Sequence, residues 1–196
     1  MKIHHILTST ILYLVASTFA HAQESQPNGQ WYFQGSIGYS VIDLDDMLDS
    51  DHYGIEDSDT SYELALGYLF TEHVGIKFGY RELGEGQFIQ DDTPDKLFVQ
   101  KLDSLFIAMT GHYPISDQFE LLGAIGFSKI SQDLQVTRLD SSGSASFSYD
   151  FTEPYFSLGI EYKFNNTLSI LSEFIHQPIP NLVEGNTYQI GLKYKF

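Results

Sequence analysis

The sequence predicts an all-β fold, an eight-stranded antiparallel up-and-down transmembrane β-barrel. Three observations lead there. Apolar and polar residues alternate with period two in eight segments. The connectors between those segments alternate in length, short then long. One phase of the alternation carries no charge at all. The composition agrees: 196 residues, enough for one domain, are only 18% charged but include 13 Tyr, 15 Phe and 16 Gly.

The first segment sets Trp31, Phe33, Gly35, Ile37, Tyr39 and Val41 against Tyr32, Gln34, Ser36, Gly38 and Ser40. The second sets Tyr62, Leu64, Leu66, Tyr68 and Phe70 against Glu63, Ala65, Gly67 and Leu69, and the third Val74, Ile76, Phe78 and Tyr80 against Gly75, Lys77 and Gly79. The apolar phases of the fourth and fifth are Leu105, Ile107, Met109, Gly111, Tyr113 and Phe119, Leu121, Gly123, Ile125, Phe127. The sixth carries Phe156, Leu158, Ile160, Tyr162 and Phe164, the seventh Leu168, Ile170, Ser172 and Phe174, and the eighth Tyr188, Ile190, Leu192, Tyr194 and Phe196. Connectors 71–73, 114–118 and 165–167 are short, whereas 42–61, 81–104, 128–155 and 175–187 are long. In an antiparallel barrel this places every short turn at one end and every long loop at the other, as in outer-membrane barrels.

The apolar phase spans 39 positions with no charge, where 18% would give about seven, and 18 of them are aromatic. The 31 interleaved positions hold eight charges and seven Gly. The physical cause is the depth-dependent cost of charge: a Lys or Arg facing lipid at mid-bilayer costs about 2–4 kcal/mol. A soluble barrel or sandwich would instead turn those 18 aromatics inward, and an eight-stranded interior has little room for them. Tyr32, Leu69, Phe106, Leu122 and Leu171 are apolar exceptions in the inward phase; Tyr32 and Leu69 are expected to plug the turn end.

Residues 1–22 read as a secretory signal peptide: Lys2, a short apolar stretch from Ile6 to Ala20, and Ala20-His21-Ala22 as cleavage site. The barrel domain is then 23–196, with nine Lys/Arg, 26 Asp/Glu and a charge of 9 − 26 = −17. That balance excludes nucleic acid as a partner, since phosphates need clustered cations. The lack of Cys excludes disulfides, thiolate catalysis, Cys-held metals and lipoprotein anchoring.

In the third long connector the alternation flips phase, with Leu134 and Val136 on even positions and Phe147, Tyr149 and Phe151 on odd ones. We expect β-bulges near Lys129–Asp133 and near Pro154. Strands five and six then continue above the membrane as a twisted hairpin with Ser141-Ser142-Gly143-Ser144 at its tip.

The ending Tyr188-Gln189-Ile190-Gly191-Leu192-Lys193-Tyr194-Lys195-Phe196, the stretch Gly159-Ile160-Glu161-Tyr162 with Asn165-Asn166, and the turn Tyr113-Pro114-Ile115-Ser116-Asp117 together resemble the OmpA-type eight-stranded outer-membrane barrels, including the OmpX/Ail group. The resemblance covers about 31–196 and implies residence in the outer membrane of a Gram-negative bacterium. It also implies protruding strands for surface interactions and a terminal assembly signal (Tyr188, Tyr194, Phe196) read by the barrel-assembly machinery. Unlike OmpA itself, the chain is expected to carry no peptidoglycan-binding domain after strand eight, so cell-wall anchoring is not implied.

Candidate chemistry starts with the inward charges Glu63, Lys77, Arg81, Glu120, Glu161, Lys163, Glu173, Lys193 and Lys195. They are of both signs and suit an ion-pair network across the lumen; the resemblance implies a network that fills and gates it. Eight strands leave almost no free bore. The connector 43–59 holds Asp43, Asp45, Asp46, Asp49, Asp51, Glu56, Asp57 and Asp59 without Lys or Arg. Its spacing fits no EF-hand, so it reads as a solvated acidic loop near lipopolysaccharide headgroups, where divalent ions can bridge. No metal or cofactor site is expected. His176 sits where lipid A deacylases, also eight-stranded barrels, carry a catalytic His, but no Ser stands at the nucleophile's place, so no catalytic residue is expected. His112 and His73 read as ordinary lumen or surface residues. The expected function is structural or surface-interacting, non-catalytic, through the long extracellular loops. The competing readings are an adhesin or host-factor binder, a small gated ion pore and a lipid A-modifying enzyme. Expected partners are outer-membrane lipids, lipopolysaccharide and the assembly machinery, with any host ligand unnamed.

Overall fold

Eight alternating segments become eight strands: β1 (Gln30–Asp43), β2 (Ser58–Leu69), β3 (Val74–Ile89), β4 (Lys96–Pro114), β5 (Phe119–Arg138), β6 (Ser144–Lys163), β7 (Leu168–Ile179) and β8 (Leu182–Lys195). The computed structural model describes residues 29–43, 58–89, 96–138, 144–179 and 182–196. The expected leader, most of the acidic connector and the expected hairpin tip through Gly143 lie outside them. Each strand pairs antiparallel with the next, and β8 returns to β1 to close the barrel. Closure removes the free edges that an open sheet would expose.

The wall has two faces. None of the 39 apolar-phase positions is buried, while Tyr32, Leu69, Phe106, Leu122 and Leu171 are, among the largely polar interior. The short turns form because one side chain in each satisfies the backbone locally. Asn165 Oδ1 accepts from the amides of Thr167 and Leu168, both at 2.8 Å. Thr71 Oγ1 accepts from His73 and Val74, both at 3.1 Å. Ser116 Oγ accepts from Phe119 at 3.1 Å. Tyr32 lies inside because its ring covers Gly67, its direct partner across the β1–β2 ladder. A Cβ on Gly67 would sit 2.1 Å from Tyr32 Cζ.

Two expectations are corrected. The strands outrun the connectors assigned from alternation: 81–104 shrinks to 90–95, and 175–187 to 180–181. And no bulge interrupts β5–β6, whose register runs unbroken from Phe119↔Tyr162 to Thr137↔Ser144. Both corrections have one cause. Above the membrane the outer face meets water, so the apolar residues change face while the backbone keeps its phase. Inward-facing Ile130, Leu134, Val136, Phe147, Tyr149 and Phe151 continue the lumen side, and outward Lys129, Ser131, Asp133, Ser148 and Asp150 are polar.

The real irregularities lie elsewhere, between Glu82 and Gly84 on β3 and between Gln177 and Ile179 on β7. Gly84 has φ 112°, a conformation L-residues avoid. A Cβ there would meet Asp59 Cβ at 2.6 Å, and Asp59 Oδ2 accepts the Glu85 amide at 2.7 Å. Gly84→Ala is therefore expected to lower stability by about 1–3 kcal/mol, read as a shift in the urea midpoint of the barrel in lipid vesicles. The β6–β7 ladder ends at Phe156↔His176. Continuing that register would set Pro154 opposite Pro178, two residues without an N–H to give. Beyond that point β3, β4, β5 and β6 continue as a protruding sheet to Ile89↔Leu97, Lys96↔Arg138 and Thr137↔Ser144, whereas the β7–β8 pairing ends at Ile179↔Leu182.

Candidate functional site

Two regions gather chemistry: the lumen and the protruding sheet. In the lumen, inward positions of β2, β3 and β7 converge. Arg81 donates from Nε and Nη2 to Glu63 Oε2, at 3.0 and 2.7 Å. Lys77 Nζ lies between Glu63 Oε1 at 3.3 Å and Glu173 Oε1 at 3.4 Å. All four side chains are buried. Three glutamines and a serine complete the shell: Gln34 donates to Glu173 and Glu63, Gln189 and Ser157 donate to Glu173, and Gln177 accepts from Arg81 Nη1. Phe106, which polarity alone cannot place, stacks edge-on with Tyr155 and takes the Arg81 guanidinium over its ring at 4.7 Å. Above this group, Leu83, Leu102 and Ile130 of β3, β4 and β5 pack together and are buried.

A second set lies toward the turn end. Lys193 and Ser169 bond Glu161, Lys195 approaches it at 3.8 Å, and Lys163 pairs with Glu120. The Lys193 ammonium also sits 5.0 Å from the Tyr32 ring centre. All nine inward charges read from the sequence thus point into the lumen, in two groups rather than one, with Glu63, Lys77, Arg81 and Glu173 above the rest. The glutamines, Ser157, Ser169 and Tyr155 escaped notice because they carry no charge, although they share the inward phase. Between the two groups, a gap bordered by Gln34, Lys77, Thr110, His112, Glu173 and Lys193 has a volume of about 10 Å³, room for one water at most.

On the protruding sheet the outer face is polar. Lys129 reaches Asp150 at 2.8 Å, Lys101 reaches Glu82 at 3.2 Å, and Ser131 donates to Asp150 at 3.0 Å. Hydrogen bonds from Lys129 and Ser131 hold the Asp150 carboxyl below the usual carboxylate range. The inner face carries half-exposed Phe147 and Tyr149, the latter stacked on Phe151 at 6.5 Å. His176 faces outward, with Nδ1 2.8 Å from Asn186 Oδ1 and its ring 4.9 Å from Phe156; neither neighbour is a nucleophile. Tyr188, Tyr194 and Phe196 are exposed on the outer wall of β8 and just past its end, and the Phe196 amide bonds to the Trp31 carbonyl at 2.9 Å.

The closed, two-faced wall fits several membrane architectures, and sequence comparison decides among them. The family described as outer membrane protein beta-barrel domain matches residues 10–196. The chain belongs to that family. As an outer membrane protein β-barrel, it shares its fold with several solved structures. A major outer membrane protein from Thermus thermophilus superposes with a TM-score of 0.62 at 8% identity, covering 86% of this chain and 100% of that one. Ail, the attachment invasion locus protein of Yersinia pestis, crystallised with the heparin analogue sucrose octasulfate, gives 0.60 at 15%, covering 86% and 99%. Neisserial surface protein A gives 0.58 at 12%, covering 85% and 97%. No match appears among curated protein sequences. The β-barrel family explains the apolar outer wall: those side chains face the hydrocarbon of the outer membrane.

Proposed function

We propose that this β-barrel is a non-catalytic surface-interaction protein, anchored by its wall and presenting the protruding sheet to a partner outside the cell. The observation that carries the reading is the side of β6 away from β5. Among the described residues, 144–155 pair with β5 on one side only, because the ladder to β7 stops at Phe156↔His176. Such an edge offers N–H and C=O groups to an incoming extended segment. Apolar side chains of that segment would meet Phe147 and Tyr149 on the inner face, and polar ones the Ser-rich outer face.

Charge selects the partner. Segments 43–59, 82–103, 129–153 and 178–187 together hold 19 Asp and Glu against four Lys and Arg. Their field attracts cationic protein surfaces and repels sulfated polysaccharides, the opposite of what a heparin analogue such as the one bound by Ail would need. The filled lumen speaks against an ion pore. The same reading takes outer-membrane lipids and lipopolysaccharide as partners of the wall, and the assembly machinery as reader of Tyr188, Tyr194 and Phe196.

The test is to replace 132–149 by Asn-Gly, a two-residue hairpin turn, joining Ser131 to Asp150, which already face each other. The trimmed barrel is expected to fold in the membrane while cells displaying it lose adhesion to cationic matrix protein. Equal adhesion by both forms overturns the proposal.

A further inference from the structure

The turn end of the lumen holds polar atoms that the ion-pair network leaves out. Glu120 faces Glu161 directly across the β5–β6 ladder. His112, on β4, pairs with Leu122 and so lies diagonal to Glu120. All three point inward, with His112 5% and Glu120 6% exposed. Two carboxylates placed opposite each other repel, so something positive belongs between them. Lys163 takes Glu120 Oε1, while Lys193, Ser169 and Lys195 share the oxygens of Glu161. Left without a hydrogen bond are Glu120 Oε2 and both ring nitrogens of His112, with Nδ1 3.5 Å from Oε2. A buried imidazole whose Nε2 has no partner and whose Nδ1 has only the long approach to Glu120 is costly and calls for an explanation.

One ligand atom from each of His112, Glu120 and Glu161 lies within 4.8 Å of the others. Zn–N and Zn–O bonds of about 2.0–2.2 Å set neighbouring donors roughly 3.5 Å apart, so small side-chain movements bring all three onto one ion. The ladder fixes the three backbones on adjacent strands, which keeps the donors together. Access exists as well. A cavity of about 350 Å³ at the barrel's turn-end mouth is lined by Glu120, Lys163, Lys195, Glu72 and His73.

We propose that His112, Glu120 and Glu161 form a binding site for a divalent transition-metal ion, Zn²⁺ foremost, at the turn-end mouth of the lumen. An imidazole with two carboxylates selects Zn²⁺ over Ca²⁺ and Mg²⁺, which take oxygen donors. The lysines compete: Glu120, Glu161, Lys163, Lys193 and Lys195 sum to +1, so an entering ion must displace one. Lys163 is the one to leave, since its side chain is 25% exposed beside the mouth while that of Lys193 is 2% exposed. The displacement makes the affinity modest.

The test titrates ZnCl₂ into the whole barrel folded in detergent micelles, by calorimetry, with Co²⁺ absorption as a second readout. Folding of each variant is checked by the difference in gel mobility before and after boiling. One ion per barrel is expected. His112→Gln and Glu120→Gln are each expected to weaken it at least ~10-fold and to abolish the Co²⁺ bands, whereas His176→Ala, on the outer face of β7 away from this mouth, leaves both unchanged. No Zn²⁺ binding by the unaltered protein overturns the proposal. So does binding that survives His112→Gln, or that is lost with His176→Ala. If His112→Gln fails to fold, the Co²⁺ spectrum of Glu120→Gln decides alone.

Discussion

Glu63→Gln is expected to destabilise the barrel by about 3–5 kcal/mol, the cost of removing one partner from a buried ion pair. Glu63 and Glu173 balance Lys77 and Arg81 in the middle of the lumen, and all four are buried. With Glu63 neutral, the balancing charge is gone and one carbonyl oxygen must replace the two that now accept from Arg81 on one side and from Lys77 and Gln34 on the other, so Lys77 keeps Glu173 as its one anionic partner in this group. A buried guanidinium cannot escape by losing its proton, and Arg81 is 0% exposed. The double variant Glu63→Leu/Arg81→Met removes both charges, leaves Lys77 with Glu173, and is expected to cost far less than the single change. Urea unfolding in lipid vesicles measures both. A cost below about 1 kcal/mol for Glu63→Gln would mean that water solvates these charges and that the lumen is not a dry, paired interior.

Ile160→Arg is expected to cost about 2–4 kcal/mol, the penalty for a cation on the lipid face near mid-bilayer. Ile160 is exposed on the outer wall midway between Phe156 and Phe164. Its neighbours on that face, Leu158 and Tyr162, give an arginine no carboxylate. Ser146→Arg, on the outer face of the protruding sheet of the same strand, is expected to stay within about 0.5 kcal/mol, because water already solvates that position. The pair of variants locates the upper limit of the membrane band along β6. Equal costs at the two sites would place the whole strand in one medium and contradict the change of face seen at Lys129–Asp133.

Much of the fold was legible because period two is a property of the backbone. Lipid outside and charge inside sort residues such as Phe156 and Glu161 strand by strand, before any contact is known. The same logic misled where the medium changed. Leu134 and Phe147 swap face because water replaces lipid beside them, and polarity alone reads that swap as a backbone slip. Strand ends at Ile89 and Ile179 were hidden for a related reason: outside the membrane both faces tolerate polar residues, so alternation fades while hydrogen-bonded pairing continues.

The candidate site was legible in part. Charge in an inward phase points to Glu63, Lys77, Arg81 and Glu173, but nothing in the sequence says who pairs with whom. Glu63 and Glu173 lie more than a hundred residues apart and meet at Lys77 only because closure brings β7 opposite β3 across the lumen. Gln34, Gln177 and Tyr155 carry no charge to mark them. His112 and Glu120 are separated by one turn, and that they face each other at 3.5 Å while Lys163 takes the other Glu120 oxygen follows only from the register.

By itself, then, the sequence determined the wall: eight strands, their apolar outer face, the three short turns and the acidic connectors. These depend on local period and on the medium each face meets. The tertiary structure alone decided the register, and with it the ion pairs of the lumen, the end of the β6–β7 ladder at Phe156↔His176, and the meeting of Glu120, Glu161 and His112. Those depend on which residue stands opposite which, and that is settled only when the sheet closes.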